Sequence, residues 1–298
     1  MKQKNGIKFA DFRSKLEVNM DQIAFFWVGE NIEIPSVLVK SVRKVYPNND
    51  IKITHLTNMK TPNIEGVNNT IRSKLSKELM LARLEAYMNY AHNDNLTYFC
   101  DADSIFLDKL NLESFDDNYY FVKRNIEDNW LINNPDWIEK YPEFSNQYFN
   151  DVMPYYAGGM LVRNGHSFFT ELLMHCKDLQ ENFHNWYGDQ VSQKIIFDDK
   201  KFDIKFIDQN IFLKIIKKEL KPEEIEILNI LGTKMITFKG QETKDFIIPT
   251  YYNLFPEDLN DEHINDFDFS DIENQMIIEN AKNEAELIRQ QILSNLNK

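Results

Sequence analysis

The stretch Leu96-Thr97-Tyr98-Phe99-Cys100 is apolar over the length of a strand and runs without a turn residue into Asp101-Ala102-Asp103, after which Ile105-Phe106-Leu107 is apolar again. A continuous apolar run of this length suits a strand covered on both faces, the habit of parallel sheets. Ligands of such sheets sit outside the carboxyl ends of the strands, which is where this acidic pair falls. The plain alternative is a solvated loop of turn-forming aspartates. Wedging the pair between apolar segments argues against it.

The elements around this segment fix the fold class. Gln22 to Gly29 is apolar and ends in glycine, predicting a first strand. Pro35 opens a helix with Val37, Leu38, Ser41, Val42 and Val45 on one face, stopped by Pro47 and Asn48-Asn49. Ile51 to Thr57 alternates as a second strand, and Ser73 to Tyr90 predicts a helix with a broad apolar face through Leu75, Leu79, Ala82, Leu84, Ala86 and Tyr87. Leu96 to Cys100 is then a third strand. Alternating strands and helices are the grammar of a mainly parallel sheet wound by right-handed crossovers and flanked by helices.

Beyond it, Asn125 to Asn150, with Trp130, Pro135, Trp137 and Pro142, has no clean period and reads as an irregular insertion over the sheet. Tyr155 to Val162 is strand-like, Ser167 to Asn182 helical, and a short helix is expected after Asp189-Gln190. Strands follow near Ile204 to Ile207 and Lys234 to Phe238. Residues 1–255 thus form one α/β domain, followed over 256–298 by an acidic linker and an amphipathic helix. Ser270 and Glu273 make that helix's capping box, and Ile277, Ala281, Ala285, Ile288, Ile292 and Leu296 its stripe, which offers a homo-oligomer contact.

Composition narrows the partners. With 43% hydrophobic residues and 13% aromatics the 298-residue chain folds around a sizeable core. Its 34 Lys and Arg against 47 Asp and Glu leave a net charge of −13, which argues against nonspecific attraction to nucleic acid or anionic membrane over most of the surface. An anionic ligand therefore needs a metal or a few placed cations. Two cysteines, Cys100 and Cys176, make no disulfide framework, and no run of about 18 apolar residues is present. A cytoplasmic setting is expected, with any contact to the inner face of a membrane peripheral. The six histidines have no ligand spacing, and no phosphate loop, nucleophile elbow or dinucleotide fingerprint occurs.

Two carboxylates at a strand exit suit a hard divalent cation, because such an ion binds through one or two carboxylates while phosphate oxygens fill its other positions. Ala82-Arg83-Leu84-Glu85-Ala86-Tyr87 followed by Leu96 to Ser104 resembles the helix, strand and D-x-D block of GT-A-fold glycosyltransferases. Within them it resembles the retaining family 8 enzymes, which include glycogenin and bacterial lipopolysaccharide galactosyltransferases. Tyr155 to Val162 resembles the family's N-[AS]-G-[VI] strand, Tyr187-Gly188-Asp189-Gln190 its G-D-Q block, and Thr237-Phe238-Lys239-Gly240 with Lys244 its H-F-x-G-x-x-K segment.

The resemblance implies a nucleotide-sugar donor, UDP-linked, with Mn²⁺ or Mg²⁺ on Asp101 and Asp103, and Arg83, Lys239 and Lys244 near its phosphates. It implies donor contacts from Phe25, Phe26, Trp27, Val28, Gly29, Ala102, Tyr156, Ala157, Gly158 and Gly240, and places Asp189 and Gln190 beside the anomeric carbon. The acceptor it implies is a carbohydrate, a lipid-linked group or a protein. Phe25 and Trp27 read equally well as core, and Asp189 as a helix N-cap. Tyr156 stands at the family's asparagine and Thr237 at its histidine ligand, while Lys244 comes one residue late. A threonine hydroxyl is acceptable to Mg²⁺ but is a poorer ligand for a transition metal.

Two rival classes remain. Asp101-Ala102-Asp103-Ser104-Ile105 nearly spells the nucleophile loop of haloacid-dehalogenase phosphatases, with Asp198-Asp199 as distal acids, but that loop follows a first strand and Ile105 lacks the usual hydroxyl. A non-catalytic nucleotide-sugar-binding module on the same fold is the other.

Overall fold

Strand β1 (Gln22–Phe26) is an interior strand of a seven-stranded sheet in the computed structural model, which describes residues 22–48, 50–92, 95–126 and 129–258. On one side it pairs in parallel with β2 (Lys52–Thr57), and β2 with β3 (Asn69–Arg72); on the other it pairs in parallel with β4 (Thr97–Asp101). A short β5 (Ser104–Phe106) leaves the sheet directly after β4. The far half is built by β6 (Tyr119–Lys123), β7 (Tyr155–Val162) and β8 (Ile204–Asp208), giving the order β3-β2-β1-β4-β7-β6-β8 with β7 alone running antiparallel to its neighbours.

Strand alternation sorts the core into two faces. Ile23 and Phe25 of β1 and Tyr98 and Cys100 of β4 point to the face covered by helix α1 (Glu33–Val45) through Leu38, Val39 and Val42. Ala24, Phe26 and Phe99 point to the other face, under helix α2 (Leu79–Tyr90). Within the insertion, α3 (Pro135–Lys140) and α4 (Phe149–Val152) surround a small core of Ile132, Tyr141, Phe144, Phe149 and Phe183. Helices α5 (His166–Asp178), α6 (Glu181–Asn185) and α7 (Gly188–Asp199) follow, and α5 and α7 join α2 on its face through Phe168, Phe169 and Ile196.

After α8 (Gln209–Phe212), a second sheet of order β5-β10-β9 forms from β5, β9 (Leu213–Ile216) and β10 (Met235–Phe238). Its outer side is closed by α9 (Pro222–Ile230) and α10 (Ile247–Leu254), around Ile105, Ile236, Phe238 and Tyr251.

Several expectations need correction. Leu96 to Cys100 belongs to the fourth strand, because β3 precedes it; that strand is polar and only half-buried, so no apolar pattern announces it. The helix expected from Ser73 starts at Leu79. Ser73 N–H instead continues the sheet by bonding Thr57 O at 3.0 Å, and Glu85 accepts both Ser76 N–H and Ser76 Oγ–H at 2.7 Å. The helix expected over Ser167 to Asn182 breaks into α5 and α6. The insertion is not irregular throughout, since α3 has Asn134 as its cap, with Oδ1 accepting from Asp136 N–H at 2.9 Å.

The acidic stretch from residue 256 begins docked on α1, where Lys44 Nζ meets Glu257 at 2.8 Å and Asp258 at 2.6 Å. The expected helix after Ser270 lies outside the described residues. Both cysteines are buried and free, and no helix among the described residues is long and apolar enough to cross a membrane.

His55, fully buried on β2, stacks on Phe25 with ring centroids 5.0 Å apart and donates from Nε2 to Trp27 O at 3.1 Å. Burial pushes its imidazole from 6.5 down to about 4, against the pull of that hydrogen bond and with Arg72 adding repulsion. The unfolded chain therefore takes up this proton first as pH falls, so the stability is complete above pH 6.5 and drains away toward pH 4. The loss amounts to about 3 kcal/mol. Thermal melts should show that loss, and His55→Phe should remove most of the slope in this window; an unchanged slope would contradict the assignment.

Candidate active site

The parallel register of β1 and β4 sets Phe26 beside Asp101, so the acidic pair stands at the carboxyl edge of the sheet next to Trp27. Alternation along β4 sends Asp101 to the same side as Phe99, where α2 presents Arg83. The guanidinium meets Asp101 Oδ1 at 2.7 Å and Asp189 Oδ2 at 3.0 Å, and donates to Ala157 O at 2.8 Å and Tyr87 OH at 3.1 Å. Arg83 is thereby fixed on four partners.

Asp103 is carried by the turn into β5, and the second sheet completes its surroundings. Antiparallel pairing of β5 with β10 puts Thr237 opposite Ser104, and Phe238 N–H donates to Asp103 O at 3.0 Å. The chain then delivers Lys239, whose ammonium bonds Asp101 Oδ2 and reaches Asp103 Oδ1 at 2.9 Å. Gly240 follows at φ +95°, a conformation other residues rarely adopt, and the turn beyond it brings Lys244 Nζ to Asp103 Oδ2 at 3.0 Å.

Burial works against the charges here, yet the cations win. Despite desolvation, Arg83 and then Lys239 hold the Asp101 carboxyl well below the usual carboxylate range, and the two aspartates raise the Lys239 ammonium against its own burial. Asp189 differs. Burial raises its carboxyl, Arg83 offsets this in part, and the nearby Asp101 charge adds repulsion.

Asp189 is not an N-cap: Tyr187 holds that position, and Asp189 lies in the first turn of α7, with Oδ1 accepting Gln190 N–H at 2.8 Å. Tyr187 is left-handed at φ +67°, a strained state for a residue with a side chain, and its ring is held by Trp137 at 4.8 Å and Tyr141 at 5.7 Å. The insertion's aromatic core therefore holds the turn that delivers Asp189 and Gln190.

The glycine strand matters for close approach. A methyl group on Gly158 would overlap the Asp101 carboxylate. Tyr156 takes the remaining space, its OH donating to Asp101 Oδ2 at 3.4 Å and lying 3.3 Å from Thr237 Oγ1. Thr237 is fully buried and donates to Asp103 O at 3.3 Å, on the inner side of the acidic pair.

At the rim, Trp27 is half-buried, donates from Nε1 to Asn31 O at 2.9 Å, and has Lys244 Nζ 5.9 Å from its ring. Val28 is also half-buried, and Gly29 N–H bonds Thr61 Oγ1 at 3.1 Å. Phe26 and Ala102 are buried, and Phe25 is core, its ring stacked on His55.

Arg124 was not expected at the site. It follows β6 directly, donates to Gln190 Oε1 at 2.5 Å, and places its guanidinium 4.9 Å from the Phe149 ring and 5.1 Å from the Tyr156 ring. The available signal was its place just past an apolar strand, the same logic that marks Asp101.

No protein-family model matches the chain, and no curated protein matches it in sequence. Solved structures do resemble it. The galactosyltransferase LgtC in complex with donor and acceptor sugar analogues is 14% identical, with a TM-score of 0.49 over 83% of this chain and 100% of that one. The glycosyltransferase GlyE of Streptococcus pneumoniae TIGR4 is 14% identical, with a TM-score of 0.46 over 79% of this chain and 62% of that one. A glycosyltransferase involved in glycosylation of the major capsid of PBCV-1 is 9% identical, with a TM-score of 0.50 over 77% of this chain and 98% of that one. That last likeness, together with the mainly parallel sheet and its helices, establishes the GT-A fold.

Proposed function

We propose that this chain is a glycosyltransferase that moves a sugar from a nucleoside-diphosphate sugar, UDP-linked, to a glycan, lipid-linked or protein acceptor, with retention of anomeric configuration. The observation that carries the reading is the meeting of Asp101 and Asp103 on a single ammonium, with Arg83 and Lys244 on their outer oxygens. Carboxylates that converge on one cation suit a divalent ion held by both, with diphosphate oxygens and water completing its shell. Thr237 lies on the buried side of the pair as a further oxygen donor. Bound Mn²⁺ or Mg²⁺ would supply charge neutralisation for the departing diphosphate.

The chain's own cations add to that effect. Arg83 cannot swing away without breaking its bonds to Tyr87 and Ala157, so its charge is preorganised where negative charge grows on the leaving group. Asp189 and Gln190 stand together at the start of α7, and Arg124 orients the Gln190 amide so that its NH₂ faces away from the guanidinium. In this reading the pair faces the anomeric carbon and the sugar hydroxyls.

The phosphatase reading loses its distal acids. Asp198 and Asp199 sit at the opposite end of α7 from Asp189, roughly 14 Å along the helix at 1.5 Å per residue, where Lys194 and His175 meet them. Three strands, not none, precede β4. A panel of nucleotide sugars with and without Mn²⁺ tests the proposal: slow metal-stimulated hydrolysis of one donor is expected, with no turnover of phosphomonoesters. Donor binding without any cleavage would leave a binding module instead.

A further inference from the structure

We infer that Lys239 is a resident counter-ion of the Asp101 and Asp103 pair, which a divalent ion must displace, so that metal and nucleoside diphosphate bind this chain as a coupled pair. The inference rests on the donor-site reading above. Lys239 Nζ bonds Asp101 Oδ2 and Asp103 Oδ1, whereas Arg83 meets only Asp101 and Lys244 only Asp103 of this pair. With those three in place every oxygen of both carboxylates faces a cation. A metal ion brought to the same oxygens would lie against an ammonium.

The three cations are not equally able to leave. Arg83 is tied to Tyr87, Ala157 and Asp189 besides Asp101, and Lys244 already lies to the outer side. Lys239 sits inside the pair on a flexible four-carbon stem, and its other neighbour is the Tyr156 ring, 5.0 Å from the ammonium. Its side chain is 28% exposed, the most of the three, which leaves it a path outward. A diphosphate arriving with the metal gives the displaced ammonium a new anionic partner. Without the diphosphate the displacement is uncompensated. Metal alone should therefore bind weakly, and by linkage each ligand should tighten the other by the same factor.

Electron paramagnetic resonance of free Mn²⁺ reads this directly in the full chain, with and without UDP, after subtracting Mn²⁺ held by UDP in protein-free controls. For the wild type, UDP should tighten Mn²⁺ binding at least tenfold. Lys239→Gln should bind Mn²⁺ without UDP at least tenfold tighter than the wild type, and the factor by which UDP tightens Mn²⁺ should fall at least threefold, the remainder coming from diphosphate oxygens on the ion itself. Lys239→Met serves the same purpose if the amide finds a new partner, and Lys239→Arg should keep the weak metal binding. Lys244→Gln removes one positive charge without removing the bridge and should gain less than threefold.

If Lys239→Gln and Lys239→Met bind Mn²⁺ no tighter than the wild type, or Lys244→Gln gains as much, the counter-ion role is overturned while UDP-dependent Mn²⁺ binding by the wild type keeps the donor-site reading. If no form binds Mn²⁺ with or without UDP, the metal reading falls, and this inference with it.

Discussion

Asp103→Ala is expected to abolish metal-stimulated cleavage of a nucleoside-diphosphate sugar, by about a thousandfold or more, while far-UV circular dichroism stays nearly unchanged. The size follows from what the carboxylate touches. Its two oxygens meet Lys239 and Lys244, so its removal takes away half of the proposed metal cradle and frees both ammoniums from their shared anchor. A thousandfold loss corresponds to about 4 kcal/mol of transition-state stabilisation, the scale associated with removing one preorganised electrostatic group. The fold should survive because the bond joining β5 to β10 at this point uses the Asp103 carbonyl, not its side chain. Activity at the wild-type level in a folded variant would remove the acidic pair from the mechanism.

Asp189→Asn should lower turnover by about a hundredfold and change donor affinity by less than about threefold. The amide keeps the shape of the carboxylate and an oxygen to accept Gln190 N–H, now 2.8 Å from Oδ1. What it removes is the negative charge against Arg83, and any charge presented to a positive centre forming at the sugar. A group acting on the reacting carbon should show this pattern. A large loss of affinity with turnover preserved would instead make Asp189 a binding residue that holds Arg83 in place. Single-turnover rates and direct donor titration separate the two.

The long apolar strands were legible in the sequence, whereas β6, although Tyr120, Phe121 and Val122 are buried, was not: its apolar run is short and lies between acidic and basic residues. β7 matches its apolar run from Tyr155 to Val162, and β4 matches to within one residue, because the residues between their ends are apolar and buried. β3 and β9 are half-exposed, so their residues carry no clear alternation or continuous apolar run. The start of α2 is not legible because Glu85 reaches back from the helix to Ser76, a tertiary contact that helical spacing does not encode.

The candidate site divides the same way. Asp101 and Asp103 could be singled out from their place at the end of an apolar run, and Asp189, Gln190 and Lys244 through the family resemblance. Their grouping depends on long-range geometry. The β5 and β10 register sets Lys239 between the two carboxylates, and the tilted packing of Tyr187 against the insertion's aromatic rings holds the turn that brings Asp189 to Arg83. Arg124 is not legible in the sequence because its meaning lies in Gln190, Phe149 and Tyr156, which only the fold brings to it.

Calorimetric titration of UDP and of UMP into the full chain in the presence of Mn²⁺ asks whether the acidic pair and its cations grip a diphosphate. The account predicts that UDP binds at least tenfold more tightly than UMP, and that chelating the metal or substituting Asp101→Asn erases the difference. Equal affinities for the two nucleotides, indifferent to metal and to Asp101, would contradict it.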